Sequence, residues 1–252
     1  MPVRGPAAPA VLAVAMLAGC APAAAVGGAE PPSWPISPPS AAAPQPRPEK
    51  ITYPADGTGA FAAAGAESAG KGRGTVMRYR VLVEEGIRGI SAGTFADAVR
   101  RTLADPRGWT ADADRSFRRV ERDEPRDFTV YLVTPGTRDE LCQDGGDGYT
   151  SCRNGDKVVI NVARWAKGVP GYRAGLGAYR QYLINHEVGH RLGQGHELCP
   201  GRGEPAPVMQ QQTLGLHGCK PSSWPYREGE RYAGPPGAYD DEVPPREGGS
   251  AS

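Results

Sequence analysis

The alternation of apolar and polar residues becomes regular only from Thr75, and its period then changes several times along the chain. Residues 76–84 (V-M-R-Y-R-V-L-V-E) alternate imperfectly and read as a strand. In residues 94–103, Phe95, Val99 and Leu103 recur at i, i+4 and i+8, the spacing of one helix face, with Thr94 as the expected N-cap. Asp105-Pro106 and Gly108 end that helix. Residues 117–121 and 128–133 read as two strands around the charged turn 123–126. Residues 157–165 (K-V-V-I-N-V-A-R-W) form the most strand-like run, and residues 177–192 a helix whose Tyr179 and Leu183 lead into His186 on one stripe. Strands and helices in this order predict one α+β domain of about 170–180 residues, an ordinary single-domain size, within residues 51–232.

The flanks read differently. In residues 1–19, Arg4 precedes an apolar run over 7–18 that is too short for a permanent membrane span. The run ends in Leu17-Ala18-Gly19-Cys20, which resembles the lipobox of bacterial lipoproteins, so a signal peptide and lipidation at Cys20 are expected. An ordinary secretory signal is the alternative. Residues 20–50 are rich in Pro, Ala and Ser and predict an extended tether lifting the domain off a membrane. Residues 51–74, rich in Gly and Ala, read either as a wrap on the domain surface or as a propeptide remnant, and residues 233–252 as a disordered tail.

Charge and cysteines narrow the partners. Arginines cluster between 115 and 126, but acidic residues interleave with them and the formal net charge is only +1. That describes a solvated mixed face and no nucleic-acid partner. Five cysteines are odd for an exported chain, and lipidation of Cys20 leaves four. Of their three possible pairings, the sequential one, Cys142–Cys152 and Cys199–Cys219, closes two short loops and is expected. The rival, a cysteine metal site, lacks any C-x-x-C spacing. The Gly/Asp-rich loop 143–151 offers carboxylates to calcium, although it matches no EF-hand spacing.

The chemistry concentrates in residues 185–196, N-H-E-V-G-H-R-L-G-Q-G-H, which hold three of the four histidines. His186 and His190 stand four apart, so a helix projects both from one face toward one metal ion. Glu187 lies beside that position, where a general base is needed. Gly193 can end the helix in the left-handed region and let the chain return His196 as a third ligand. Three protein ligands with an open fourth position suit a catalytic Zn2+ site.

The run H-E-x-x-H-x-x-G-x-x-H resembles the signature of the metzincin clan of zinc endopeptidases. The resemblance implies a metzincin-like zincin domain: a twisted mixed sheet, a zinc-binding active-site helix and a small irregular C-terminal subdomain. It also implies a methionine in a tight turn beneath the metal, for which Met209 is the candidate. Glu197 after the third histidine is similar to the astacin branch, but Gln211 stands where astacins carry a tyrosine. With R-Y-R-V-L-V-E, D-P-R-G-W, V-V-I-N-V-A-R-W, P-V-M-Q-Q-Q-T and S-W-P-Y, the stretch from about Tyr53 to Tyr226 resembles a bacterial family of uncharacterised exported metzincin-like domains.

The expected function is therefore a zinc-dependent hydrolase, an endopeptidase with Glu187 as general base, exported and lipid-anchored at the outer face of the cell membrane. Residues 158–162, as an edge strand, are expected to hold an extended peptide substrate by backbone pairing. Tyr179 and Tyr226 are candidates for transition-state hydrogen bonds. The alternatives are a zinc-stabilised envelope protein without activity and a zinc amidase acting on cell-wall peptides.

Overall fold

The computed structural model describes residues 50–246, so the leader, Cys20 and almost all of the tether lie outside the described residues. Two short strands, β1 (Phe61–Ala63) and β2 (Lys71–Gly72), precede the long β3 (Thr75–Glu84). Then follow α1 (Ala92–Leu103), β4 (Arg115–Arg119), β5 (Phe128–Val133) and α2 (Pro135–Cys142). The remainder is β6 (Cys152–Asn154), β7 (Lys157–Asn161), α3 (Val162–Lys167), α4 (Leu176–Arg191) and the pair β8 (Tyr226–Arg227) and β9 (Glu230–Arg231). Seven strands form one twisted mixed sheet in the order β2-β4-β3-β5-β7-β6, with β1 also against β3. β3 runs parallel to β4 and β5, and β5 to β7, whereas β1, β2 and β6 join antiparallel. The architecture is α+β, and residues 51–74 supply two of its strands.

Strand alternation divides the core. Val130 and Leu132 of β5 and Val158 and Ile160 of β7 join α1 and α4 in the main core. Val133 and Val159 face the other way and pack with Cys142 of α2. Cys152 stands opposite Val159 in the ladder, so its sulfur reaches Cys142 and the disulfide pins α2 to the sheet edge. The second disulfide joins Cys199 to Cys219, so both expected pairings are present. Two disulfides belong to an extracytoplasmic protein. Among the described residues no helix is long and apolar enough to cross a membrane.

Several expectations are corrected. The run 157–165 is a strand only to Asn161, whose Oδ1 accepts from the Ala163 amide at 2.9 Å and caps α3. Its Nδ2 donates to the carbonyls of Gly148 and Tyr149, so this buried amide redirects the chain. β7 lies between β5 and β6, so residues 158–162 offer no free edge; β6 is the edge strand on that side. α1 is capped by Ser91, whose Oγ accepts from the Thr94 amide, one turn before the expected start. Helix α2, unforeseen in Pro135-Gly136-Thr137, is capped by Thr134 with Pro135 in its first turn. The tail expected from residue 233 packs on the domain as far as Arg246: Leu198 N donates to Pro235 O at 2.7 Å and Gly237 N to His196 O at 3.0 Å.

The Gly/Asp loop is built around a protein cation. Arg138 is fully buried and pairs with Asp139 at 3.0 Å, Asp144 at 2.6 Å and Asp147 at 3.2 Å, while its Nε donates to Thr150 O. The carboxylates considered for calcium thus surround a guanidinium. Replacing Arg138 by alanine strands them, and removing one partner of a buried pair costs about 3 kcal/mol or more. Arg138→Ala is therefore expected to lower stability by about that amount in chemical denaturation, with the loop 143–151 losing protection from proteolysis.

Candidate metal centre

α4 carries the motif through a buried stretch, Tyr182 to Gly189, that crosses the main core. His186 and His190 project from one face, as their spacing requires. Gly193 has φ +88° and closes the helix, as expected. The turn it permits brings His196 back, so that His190 Nε2 lies 3.2 Å from His186 Nε2 and 3.0 Å from His196 Nε2. Ligand atoms of the three residues all lie within 4.8 Å of one another.

Two of the other ring nitrogens are held. His186 Nδ1 donates to Val208 O and His190 Nδ1 to Gln194 O, each at 2.9 Å. A carbonyl can only accept, so both Nδ1 atoms carry the proton and both Nε2 atoms present a bare lone pair. Burial lowers all three imidazoles: His186 well below its ordinary value, His190 below it and His196 to about 4. The neutral rings of His186 and His190, with lone pairs facing each other at 3.2 Å, repel unless a cation lies between them. Tetrahedral coordination at about 2.0–2.1 Å places nitrogens about 3.3 Å apart, close to the separations here. The donor set thus fits a metal ion.

Glu187 is buried, and its Oε2 has no hydrogen-bond partner within the protein. Burial pushes its carboxyl up to about 8, against the pull of Arg138 and Arg153. A divalent cation at the histidines acts in the same direction as those arginines and favours the carboxylate. Glu187 and the three histidines line one cleft of about 430 Å³ with Tyr182, Arg153, Thr213 and Leu214.

The floor of the site is a second close approach. Met209 is fully buried, and the turn containing it passes under α4, which is how Val208 O reaches His186. Gly189 makes this possible: a Cβ there would overlap the Met209 sulfur and lie 2.7 Å from Trp109 Cζ2. Trp109 Nε1 in turn donates to Asn185 O at 2.9 Å. Glu197 does not enter the cleft; it pairs with Arg231 at 2.7 Å and anchors β9.

The two proposed tyrosines stand elsewhere. Tyr179 OH bonds Thr213 Oγ1 inside the core, and Tyr226 OH donates to Asp112. Neither lines the cleft, whereas Tyr182, four residues before His186, does. That i−4 spacing was the available signal. Asn154-Gly155 was the signal for the β6–β7 hairpin that brings Arg153 to the rim.

A methyl group at Gly189 must displace Met209 or Trp109. Overpacking of this kind costs about 1–3 kcal/mol. Gly189→Ala is therefore expected to lower the unfolding midpoint and to weaken metal affinity together, because the Val208 carbonyl moves with Met209; equilibrium unfolding and metal titration check both.

No curated protein and no solved structure matches the chain. Residues 47–226 match one family model, described as "Protein of unknown function (DUF3152)". That span covers most of the chain and all three histidines, and the chain belongs to this family.

Proposed function

We propose that the protein is an extracytoplasmic zinc-dependent hydrolase, an endopeptidase of metzincin-like architecture. One observation carries this reading: three imidazole Nε2 atoms converge in the cleft that also holds a buried carboxylate oxygen with no other partner. His186, His190 and His196 would hold the metal, and the turn at Met209 supports them from below. Zinc so held supplies Lewis acidity, acidifying water and polarising a carbonyl. Glu187 takes the proton of the attacking water and delivers it to the leaving amine, so no covalent intermediate is needed. A site that only stabilised the fold would have no use for a buried base with an unpaired oxygen. The exposed edge of β6, with Arg153 at the rim, is the surface on which an extended peptide can pair its backbone. Lipidation at Cys20 would hold this cleft at the outer face of the membrane.

The purified chain is expected to bind about one zinc ion. Glu187→Gln keeps side-chain volume but removes the base. It should retain zinc and thermal stability while losing about 10²–10⁴-fold in peptide hydrolysis. His190→Ala should lose zinc and activity together. Elemental analysis and cleavage of a diverse peptide library measure these quantities. A folded, zinc-exposed chain without bound metal, or Glu187→Gln turning over as fast as the parent, overturns the reading.

A further inference from the structure

The segment after β9 crosses the metal cleft. Gly237 N donates to His196 O at 3.0 Å, on the loop of the third histidine. Tyr239 then stacks on His217 at 3.4 Å between ring centroids, and its hydroxyl accepts from Cys199 N at 3.1 Å. Asp241 pairs with His217 Nε2 at 2.8 Å. Two residues later Val243 lines the same cleft as the three histidines and Glu187. Arg246 lands on the opposite rim, donating to Ala55 O at 2.8 Å and pairing with Asp56. Its side chain lies against Gly148, where a Cβ would come within 2.5 Å of Arg246 Cγ. The chain is thus tied to one wall, passes over the opening and is tied to the other.

We propose that residues 237–246 are an autoinhibitory strap that keeps peptide-sized substrates out of the metal cleft. Its composition suits an occupant that is not itself a substrate. The bonds Val243–Pro244 and Pro244–Pro245 have no N–H, and the proline rings fix the backbone. The strap therefore cannot donate from these residues to the edge of β6, as an incoming peptide with ordinary amides can. Its far anchor is weak: Arg246 and Asp56 are 37% and 75% exposed. An exposed ion pair is screened by salt and contributes little. The strap opens readily, by ionic strength or by a peptide that competes for β6.

The inference rests on the metal reading of the cleft, and the test separates the two. Zinc-loaded full chain, Asp56→Ala and a chain ended at Tyr239 are titrated with the peptide hydroxamate Pro-Leu-Gly-NHOH and with acetohydroxamate, and their peptide cleavage is measured. The peptide hydroxamate should bind Asp56→Ala up to about 5-fold more tightly than the full chain, the range of an exposed pair. The chain ended at Tyr239 should bind it at least about 10-fold more tightly, and 0.5 M salt should narrow the differences. Acetohydroxamate, small enough to pass beneath the strap, should bind all three alike. Equal affinity of the peptide hydroxamate for all three forms overturns the strap, even if all cleave peptides. Tighter binding without cleavage by any form keeps the strap and overturns the peptidase reading. Hydroxamate binding to none of them overturns both.

Discussion

Three imidazoles with their Nε2 atoms turned toward one another, two of them presenting bare lone pairs, make an arrangement that the surrounding chain must enforce. The two rings on α4 keep Nε2 inward because a carbonyl holds the other nitrogen of each. Val208 O does this for His186 and Gln194 O for His190, and both carbonyls sit on turns. The first turn is pressed under α4 because Gly189 has no side chain to keep Met209 away. The second exists because Gly193 accepts a positive φ. Trp109, Met209 and Asn185 are therefore part of the same device, although none offers a ligand atom to the cluster.

The rim opposite the motif helix is built on a different principle. Arg138 is fully buried among three carboxylates and the carbonyl of Thr150, and it gives shape to a loop with almost no apolar residues of its own. Buried Glu84 does comparable work next to it, accepting from Gly59 N at 3.0 Å and Thr134 N at 2.8 Å. The Cys142–Cys152 disulfide then fixes the edge strand to α2. Charge pairing and a covalent link take the place of a hydrophobic core where the chain is too polar to form one. This gives the cleft a rim with Arg153 at its edge.

The C-terminal stretch ties these halves together. Glu197, one residue after the third histidine, binds Arg231, and Arg231 lies over the Trp109 ring at 5.2 Å. The same interaction that positions the third histidine loop thus also positions β9 and the chain that leaves it toward the cleft. The Gly237 amide, donating to His196 O, joins that chain to the loop of the third histidine.

Local pattern carried much of this into the sequence. The 3.6-residue period placed α1 and α4 to within a few residues, and β-branched runs placed β3, β5 and the start of β7. The histidine triad was legible because i, i+4 spacing and a helix-ending glycine are both local properties. The sequential disulfides were legible because short loops close easily. What the sequence did not show depends on partners far along the chain. Residues 157–165 keep one hydropathy pattern throughout, but Asn161 finds Gly148 and Tyr149 and turns strand into helix there. β7 became interior because a hairpin with little hydrophobicity added β6 beside it. Tyr182 rather than Tyr179 or Tyr226 reached the cleft because helix rotation is set by what α4 packs against. A polar tail without periodicity gave no sign of crossing the site. Its course is fixed by single contacts to His217, Gly148 and Asp56, and pairings between residues so distant in sequence leave no periodic trace in it.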